Sequence, residues 1–171
     1  MQLQNYYYWF KDAIPHHVCD DIVRYAKSIQ DEMAVTGGLG NRKLNKKEVT
    51  DLKKKRDSDI VWLNERWIYN AIHPYIHQAN RDANWNFQWD FSESCQFTKY
   101  KKGQYYDWHC DSWDKPYDSP NTPSHGKQRK LSVTLSLSDD KDYSGGELEF
   151  DMRNMDPDKK TNTHVLKEIR S

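Results

Sequence analysis

From Cys95 to Asp111 the chain reads CQFTKYKKGQYYDWHCD, and the fold class turns on this stretch. Cys95, Phe97 and Lys99 alternate with Gln96, Thr98 and Tyr100, the two-residue period of a strand whose faces differ. Lys102-Gly103 makes a turn, and Gln104 to His109 reads as a further strand. The same period recurs on either side. Trp85, Phe87, Trp89 and Phe91 alternate with polar residues upstream. Downstream, Leu131, Val133, Leu135 and Leu137 alternate with Ser132, Thr134, Ser136 and Ser138, the cleanest strand pattern in the chain. After a turn over 142–146, Glu147 to Phe150 reads as another strand, and Asn5 to Phe10 as an opening one.

The first half has a different period. Val18, Ile22, Ala26, Ile29 and Met33 recur at three- and four-residue steps after Ile14-Pro15, one apolar stripe on a helix ending before Gly37-Gly38. Ile68, Ala71, Ile72, Tyr75, Ile76 and Ala79 give a second helix over Asn64 to Arg81, with Pro74 expected to kink or divide it. Between them, 38–59 is polar and lysine-rich and reads as a solvated loop with a short helix. Helices followed by short antiparallel strands predict an α+β, mainly β fold: a β-sandwich or jelly roll with helices packed outside. The whole of 1–171 is expected as one domain, with helical support over 1–84, a β core over 85–150 and an irregular tail over 151–171.

Composition narrows the function. Lys and Arg number 26 against 26 Asp and Glu, so the chain lacks the basic excess usual in nucleic-acid and anionic-membrane binders. Seven Trp and eleven Tyr in so polar a chain argue against disorder and for a core of large rings. Cys19, Cys95 and Cys110 stand at unrelated spacings that fit neither a disulfide framework nor a zinc site, so a reduced, cytoplasmic setting is expected. No stretch has the apolar length of a bilayer span.

The chemistry centres on His109 and Asp111. Two residues apart on a strand, they share one face, and an imidazole and a carboxylate there can reach one metal ion. A second histidine would complete the two-His, one-carboxylate facial triad of non-haem Fe(II) sites. A surface turn or a simple hydrogen-bonded pair is the other reading of His-x-Asp. By strand parity Gln96, Thr98 and Tyr100 share a face, as do Ser132, Thr134 and Ser136. Those faces either line a cavity or meet solvent.

The residues Tyr100-x-x-Gly103-x-Tyr105-Tyr106-x-Trp108-His109-x-Asp111, then Arg129-x-Leu131-Ser132, then Tyr143-Ser144-Gly145-Gly146-Glu147-Leu148-x-Phe150, resemble one family. It is the prolyl 4-hydroxylase-like branch of the 2-oxoglutarate and Fe(II)-dependent oxygenases, including the PKHD-type hydroxylases of bacteria and phages. The resemblance is specific from Gln96 to Phe150 and extends thinly upstream through Arg56-Asp57-Ser58-Asp59 and Trp62-Leu63. It implies a double-stranded β-helix, a distorted jelly roll of cupin type, buttressed by N-terminal helices. It also implies a dioxygenase that hydroxylates an unactivated C–H bond, with peptidyl proline as the family-level substrate. Fe(II) and 2-oxoglutarate are the implied cofactor and cosubstrate, with ascorbate as an auxiliary reductant. His109 and Asp111 match the iron-binding positions. Tyr100 matches a tyrosine near 2-oxoglutarate, and Gln96, Ser132 and Thr134 are the further cosubstrate candidates.

The family pattern continues with a distal histidine on a later strand pair, then an arginine or lysine for the C5 carboxylate of 2-oxoglutarate. Here His164 is the candidate for the third ligand and Arg170 for the clamp, while His125 lies in a proline-rich loop. The polar run from Asp151 to Thr163 predicts no returning strand to carry His164 back, so the sequence is expected to be cut before its last strands. The rival expectations are a non-catalytic jelly-roll binding module with Trp108, Trp113 and Tyr117 as an aromatic surface, or an inactive fragment of such an oxygenase. A third is an oxygenase directed to nucleic acid by Lys46, Lys47, Lys53, Lys54, Lys55 and Arg56. Substrate grip is expected from the Ser112–Gln128 loop and the 41–56 segment, since contacts of this kind concentrate on loops.

Overall fold

A computed structural model describes residues 5–29, 32–33, 45–151 and 163–166, with the backbone alone for 32–33 and 163–166. In chain order they form α1 (His16–Ser28), β1 (Glu32–Met33), α2 (Lys46–Lys53), β2 (Arg56–Asp57), β3 (Asp59–Leu63), α3 (Arg66–Asp82), β4 (Cys95–Lys99), β5 (Tyr105–Tyr106), β6 (Leu148–Asp151) and β7 (Thr163–Leu166).

The Pro15 carbonyl accepts from the Val18 and Cys19 amides and opens α1. The helix is shorter than its apolar stripe: Ile29 is already extended (φ −98°, ψ 146°), and Met33 belongs to β1. The expected stop at Gly37-Gly38 lies outside the described residues. α2 occupies the lysine-rich segment because Asn45 and Glu48 close a capping box, each side chain accepting from the other's backbone amide at 2.9 and 2.8 Å. α3 runs unbroken through Pro74, which stands on its exposed side together with Asn70, the residue whose carbonyl loses its amide donor.

The core lies between these helices and the β3–β4 pair. Val61 and Leu63 of β3 join Ile22, Ala26 and Ile68, with Cys95 and Phe97 of β4 packed against them. The antiparallel register pairs Val61 with Phe97 and Leu63 with Cys95, so these four share the core face. Ile60, Trp62, Gln96 and Thr98 share the other. The sequence reading ended its loop at Asp59 and began its helix at Asn64, leaving Ile60–Leu63 without an element. IVWL is a short continuous apolar run, which has neither strand nor helix period, so only its packing identifies it.

The expected jelly roll is not formed among the described residues. Three small sheets take its place: β1-β3-β4, β2-β5 and β6-β7. Leu131–Leu137 is not a paired strand. Leu135 and Leu137 pack partly buried on the core, while Val133 is 52% exposed. Alternation sets which way side chains point, but a strand also needs a ladder for its amides and carbonyls, and no described segment supplies one there. Asn5–Phe10 and Trp85–Phe91 depart for the same reason, and their rings pack through local aromatic contacts instead. Phe10 meets Tyr75 edge-on at 5.2 Å, and Trp89 contacts His73 and His77 at 4.8 and 4.6 Å.

The strand expected over Gln104–His109 contracts to Tyr105–Tyr106, and it pairs with β2 rather than β4: Arg56 faces Tyr106 and Asp57 faces Tyr105. In the tail expected to be irregular, Thr163–Leu166 returns antiparallel to β6, with His164 opposite Phe150. Gly145 and Gly146, at φ 80° and 76°, turn the chain into β6, as a Gly-Gly pair before a strand predicts.

Candidate metal centre

The β2–β5 pairing builds the site. Because Tyr106 is in register with Arg56, the Arg56 guanidinium lies over the Tyr106 ring, 4.4 Å from its centroid. After β5 the Asp107 amide donates to the Lys55 carbonyl at 2.8 Å, and the chain turns. That turn lays the His109 ring on Tyr106, centroids 3.6 Å apart and planes 14° from parallel.

His109 Nδ1 is 2.7 Å from the Asp107 carbonyl oxygen. A carbonyl only accepts, so Nδ1 carries the hydrogen and the neutral ring presents its lone pair at Nε2. Nε2 stands 3.2 Å from Asp111 Oδ1. The two side chains do converge, but through a turn rather than along a strand. Asp111 is held from two sides. The Ser132 hydroxyl donates to Oδ2, and Arg129 Nη1 donates to the Asp111 carbonyl at 3.0 Å. Arg129 is itself gripped by Glu93, with Nε to Oε1 at 2.7 Å and Nη2 on Oε2, and the Tyr117 hydroxyl donates to the same Oε1 at 2.9 Å.

Do these atoms fit a metal ion? First-row metals take nitrogen and oxygen donors at about 2.0–2.2 Å, so donors at right angles stand about 3 Å apart. The observed 3.2 Å fits two adjacent coordination positions. With the hydrogen on Nδ1, two lone pairs face each other across that gap, and only a cation or a proton reconciles them. The side chains are 37% and 48% exposed, leaving room for further ligands.

Residues 95–168 match the family model of the 2OG-Fe(II) oxygenase superfamily. That span holds β4, β5, the His109–Asp111 pair, Ser132, the Gly145-Gly146 turn and the β6–β7 hairpin. The match supports an oxygenase at the superfamily level, with Fe(II) and 2-oxoglutarate as its general requirements. The chain matches no curated protein and no solved structure.

The other candidates of this oxygenase-like region distribute unevenly. The Ser132 hydroxyl sits on the Asp111 carboxylate. Gln96 and Thr98 do share a face, and both bond to Arg56. Tyr100 and Thr134 are exposed. His125 is an exposed turn residue whose amide donates to Thr122. Among the described residues no third His, Cys, Asp or Glu joins the pair. The side chain of His164, and Arg170 altogether, lie outside the described residues. The basic segment is partly neutralised by its own acids: Lys53 pairs with Asp57 at 3.3 Å and Lys54 with Asp51 at 2.9 Å. Among the described residues no helix is long and apolar enough to cross a membrane. A separate cavity of about 580 Å³, lined by Tyr69, His73, His77, Trp89 and Ser92 among others, does not include the His109–Asp111 pair.

Sequence reasoning missed Glu93, which carries no motif of its own. The bidentate Arg129 bond holds its carboxyl below the ordinary value of about 4.5. A carboxylate with a lowered folded pKa contributes stability that is present above the unfolded value and is lost as pH falls through the folded one. Both partners are more than a third exposed, so the expected contribution is below about 1 kcal/mol. Unfolding midpoints at pH 7 and pH 3.5 measure it: the acid-induced loss should be smaller in Glu93→Gln than in the parent. An equal loss in both would assign the acid sensitivity elsewhere.

Proposed function

We propose that the chain is an Fe(II)- and 2-oxoglutarate-dependent dioxygenase, with His109 and Asp111 as two protein ligands of the metal. The observation that carries this is the 3.2 Å gap between Nε2 and Oδ1, with the ring's hydrogen fixed on the far nitrogen. When bound, Fe(II) with 2-oxoglutarate supplies O₂-dependent oxidation of an unactivated C–H bond, with loss of CO₂ from the cosubstrate. The chain's residues prepare that chemistry. The Asp107 carbonyl holds the imidazole in the ligating tautomer, and Tyr106 fixes its plane. Ser132 occupies Asp111 Oδ2 and leaves Oδ1 to the metal. The Glu93–Arg129 pair anchors the Asp111 backbone, so the carboxylate is placed before any ion arrives.

The finer reading is a prolyl 4-hydroxylase-like enzyme of the PKHD type acting on peptidyl proline. It is supported by the spacing of Tyr100, Gly103, His109, Asp111 and Gly145-Gly146. The Ser112–Gln128 loop, closed on itself by paired backbone bonds between Tyr117 and Lys127-Gly126, is the proposed substrate contact.

The test is succinate formation by the 171-residue chain with Fe(II), ascorbate, 2-oxoglutarate and air. Two described protein donors fix an ion less firmly than three, so the expected result is slow, iron-dependent succinate release that vanishes in His109→Ala. Release that persists in His109→Ala would remove this histidine from the site. No iron-dependent release at all would favour the non-catalytic binding module.

A further inference from the structure

The chain's 26 cationic and 26 acidic side chains are unevenly placed. Residues 46–59 and 99–106 together hold nine Lys and Arg against four Asp and Glu. The fold joins these two stretches, since Lys99 is in register with Asp59 and Tyr105 with Asp57. Three of the four acids are taken by lysines: Asp51 by Lys54, Asp57 by Lys53 and Asp59 by Lys101. The fourth, Glu48, closes the α2 capping box. Lys46, Lys47, Lys55 and Lys102 are exposed and meet no carboxylate among the described residues.

Two of these lysines oppose their own helix. Lys46 and Lys47 stand in the first turn of α2, where the aligned peptide dipoles disfavour a cation. Helix formation therefore does not account for them. Exposed rings lie among the cations as well. The Tyr105 hydroxyl donates to the Lys53 and Lys54 carbonyls at 3.2 and 2.8 Å, which lays its ring, 46% exposed, across the end of α2. The bond from the Asp107 amide to the Lys55 carbonyl holds Trp108, 56% exposed, next to this end. Asp107 is the acid at that edge, and its carboxylate is turned back onto the Trp108 amide at 2.8 Å. Neither exposed ring meets another aromatic ring among the described residues.

A cationic face alone suits any polyanion. Aromatic rings set among the cations favour a polyanion with planar rings of its own that are open to stacking, which is single-stranded nucleic acid. We propose that the face built from α2, β2 and the β4–β5 turn docks a single strand. Lys46, Lys47, Lys55 and Lys102 meet its phosphates, and Tyr105 and Trp108 meet its bases. The face adjoins Tyr106, which stacks on His109, so a docked strand lies beside the metal pair. The docking does not depend on the metal assignment.

The test is fluorescence anisotropy of the 171-residue chain with a labelled oligothymidylate of about 20 nucleotides, titrated from about 50 to 300 mM salt. Micromolar binding is expected at the low end, falling steeply as salt rises. Lys46→Glu combined with Lys47→Glu should weaken binding at least about tenfold and flatten the salt slope by about 0.7 for each lysine lost. Acids suit the first turn of a helix, so the same variant should melt no lower than the parent, which separates lost binding from lost folding. Trp108→Ala should weaken binding about fivefold or more, the effect of one stacked base. An abasic strand of equal length and charge should bind at least about tenfold more weakly than oligothymidylate. No binding of oligothymidylate at the lowest salt, or binding unchanged by the double charge reversal, would overturn the surface. Equal binding of the abasic strand, or tighter binding to phosphatidylserine vesicles, would refute nucleic acid as the partner. His109→Ala should lose Fe(II) and bind the strand as the parent does, so that a failure of either assignment leaves the other to be read separately.

Discussion

Fe(II) affinity is expected to fall about a hundredfold or more in both His109→Ala and Asp111→Ala, because each change removes one of only two described protein donors. Changing only a group that hydrogen-bonds to a ligand commonly costs metal sites about ten- to a hundredfold, so loss of a ligand itself sets the larger effect. Anaerobic titration with Fe(II), repeated with Mn(II), measures it without requiring turnover. Asp111→Asn separates charge from shape. It can keep the Ser132 hydrogen bond at the same oxygen position and loses only the anionic partner, so it should approach the alanine variant in affinity while leaving the fold untouched. Affinity unchanged in both alanine variants would refute the assignment, and would leave the 3.2 Å approach as a protonated imidazole bonded to a carboxylate.

What the sequence disclosed at this site was the pair, not its support. His-x-Asp is visible as a spacing, and the motif around it fixes which aromatic residues neighbour it. The convergence in the structure arises because Asp107 turns the chain and Tyr106 stacks on the ring, two local facts that a two-residue strand period does not contain. Glu93 illustrates the opposite limit. Its partner Arg129 lies 36 positions away, and a bidentate bond over that separation leaves no periodic trace in either segment.

The same division holds for the fold. α1 and α3 were legible because an apolar stripe at helical spacing implies burial; the α3 stripe ends close to its helix, whereas the α1 stripe runs on through Ile29 to Met33, past the helix end at Ser28. β4 was legible from alternation. β3 was not, since its Ile60-Val61-Trp62-Leu63 run is apolar on both faces and carries no alternation, although Trp62 is exposed. The Leu131–Leu137 segment shows the converse error. Its pattern places Leu135 and Leu137 against the core, yet side-chain alternation cannot report whether the backbone has found a partner.

That difference has a measurable consequence. Leu63 is 2% exposed and belongs to the buried cluster of Ile22, Ala26, Val61 and Ile68, so Leu63→Ala is expected to cost about 2–5 kcal/mol, the transfer term plus a cavity that its packed surroundings cannot close. Leu135 packs on the same cluster from outside, only partly buried and without a backbone ladder. There the truncated volume opens toward solvent and the segment can settle inward. Leu135→Ala is expected to cost about 1–2 kcal/mol, close to the transfer term for the area it covers. Denaturant unfolding of the two variants gives both numbers from shifts in midpoint at unchanged slope. A larger loss for Leu135→Ala than for Leu63→Ala would mean that Leu131–Leu137 is an interior strand of the jelly roll that its alternation predicts. The smaller loss expected here would instead make the β3–β4 pair and its two helices the unit that stabilises the chain, with the segment after Arg129 laid against it.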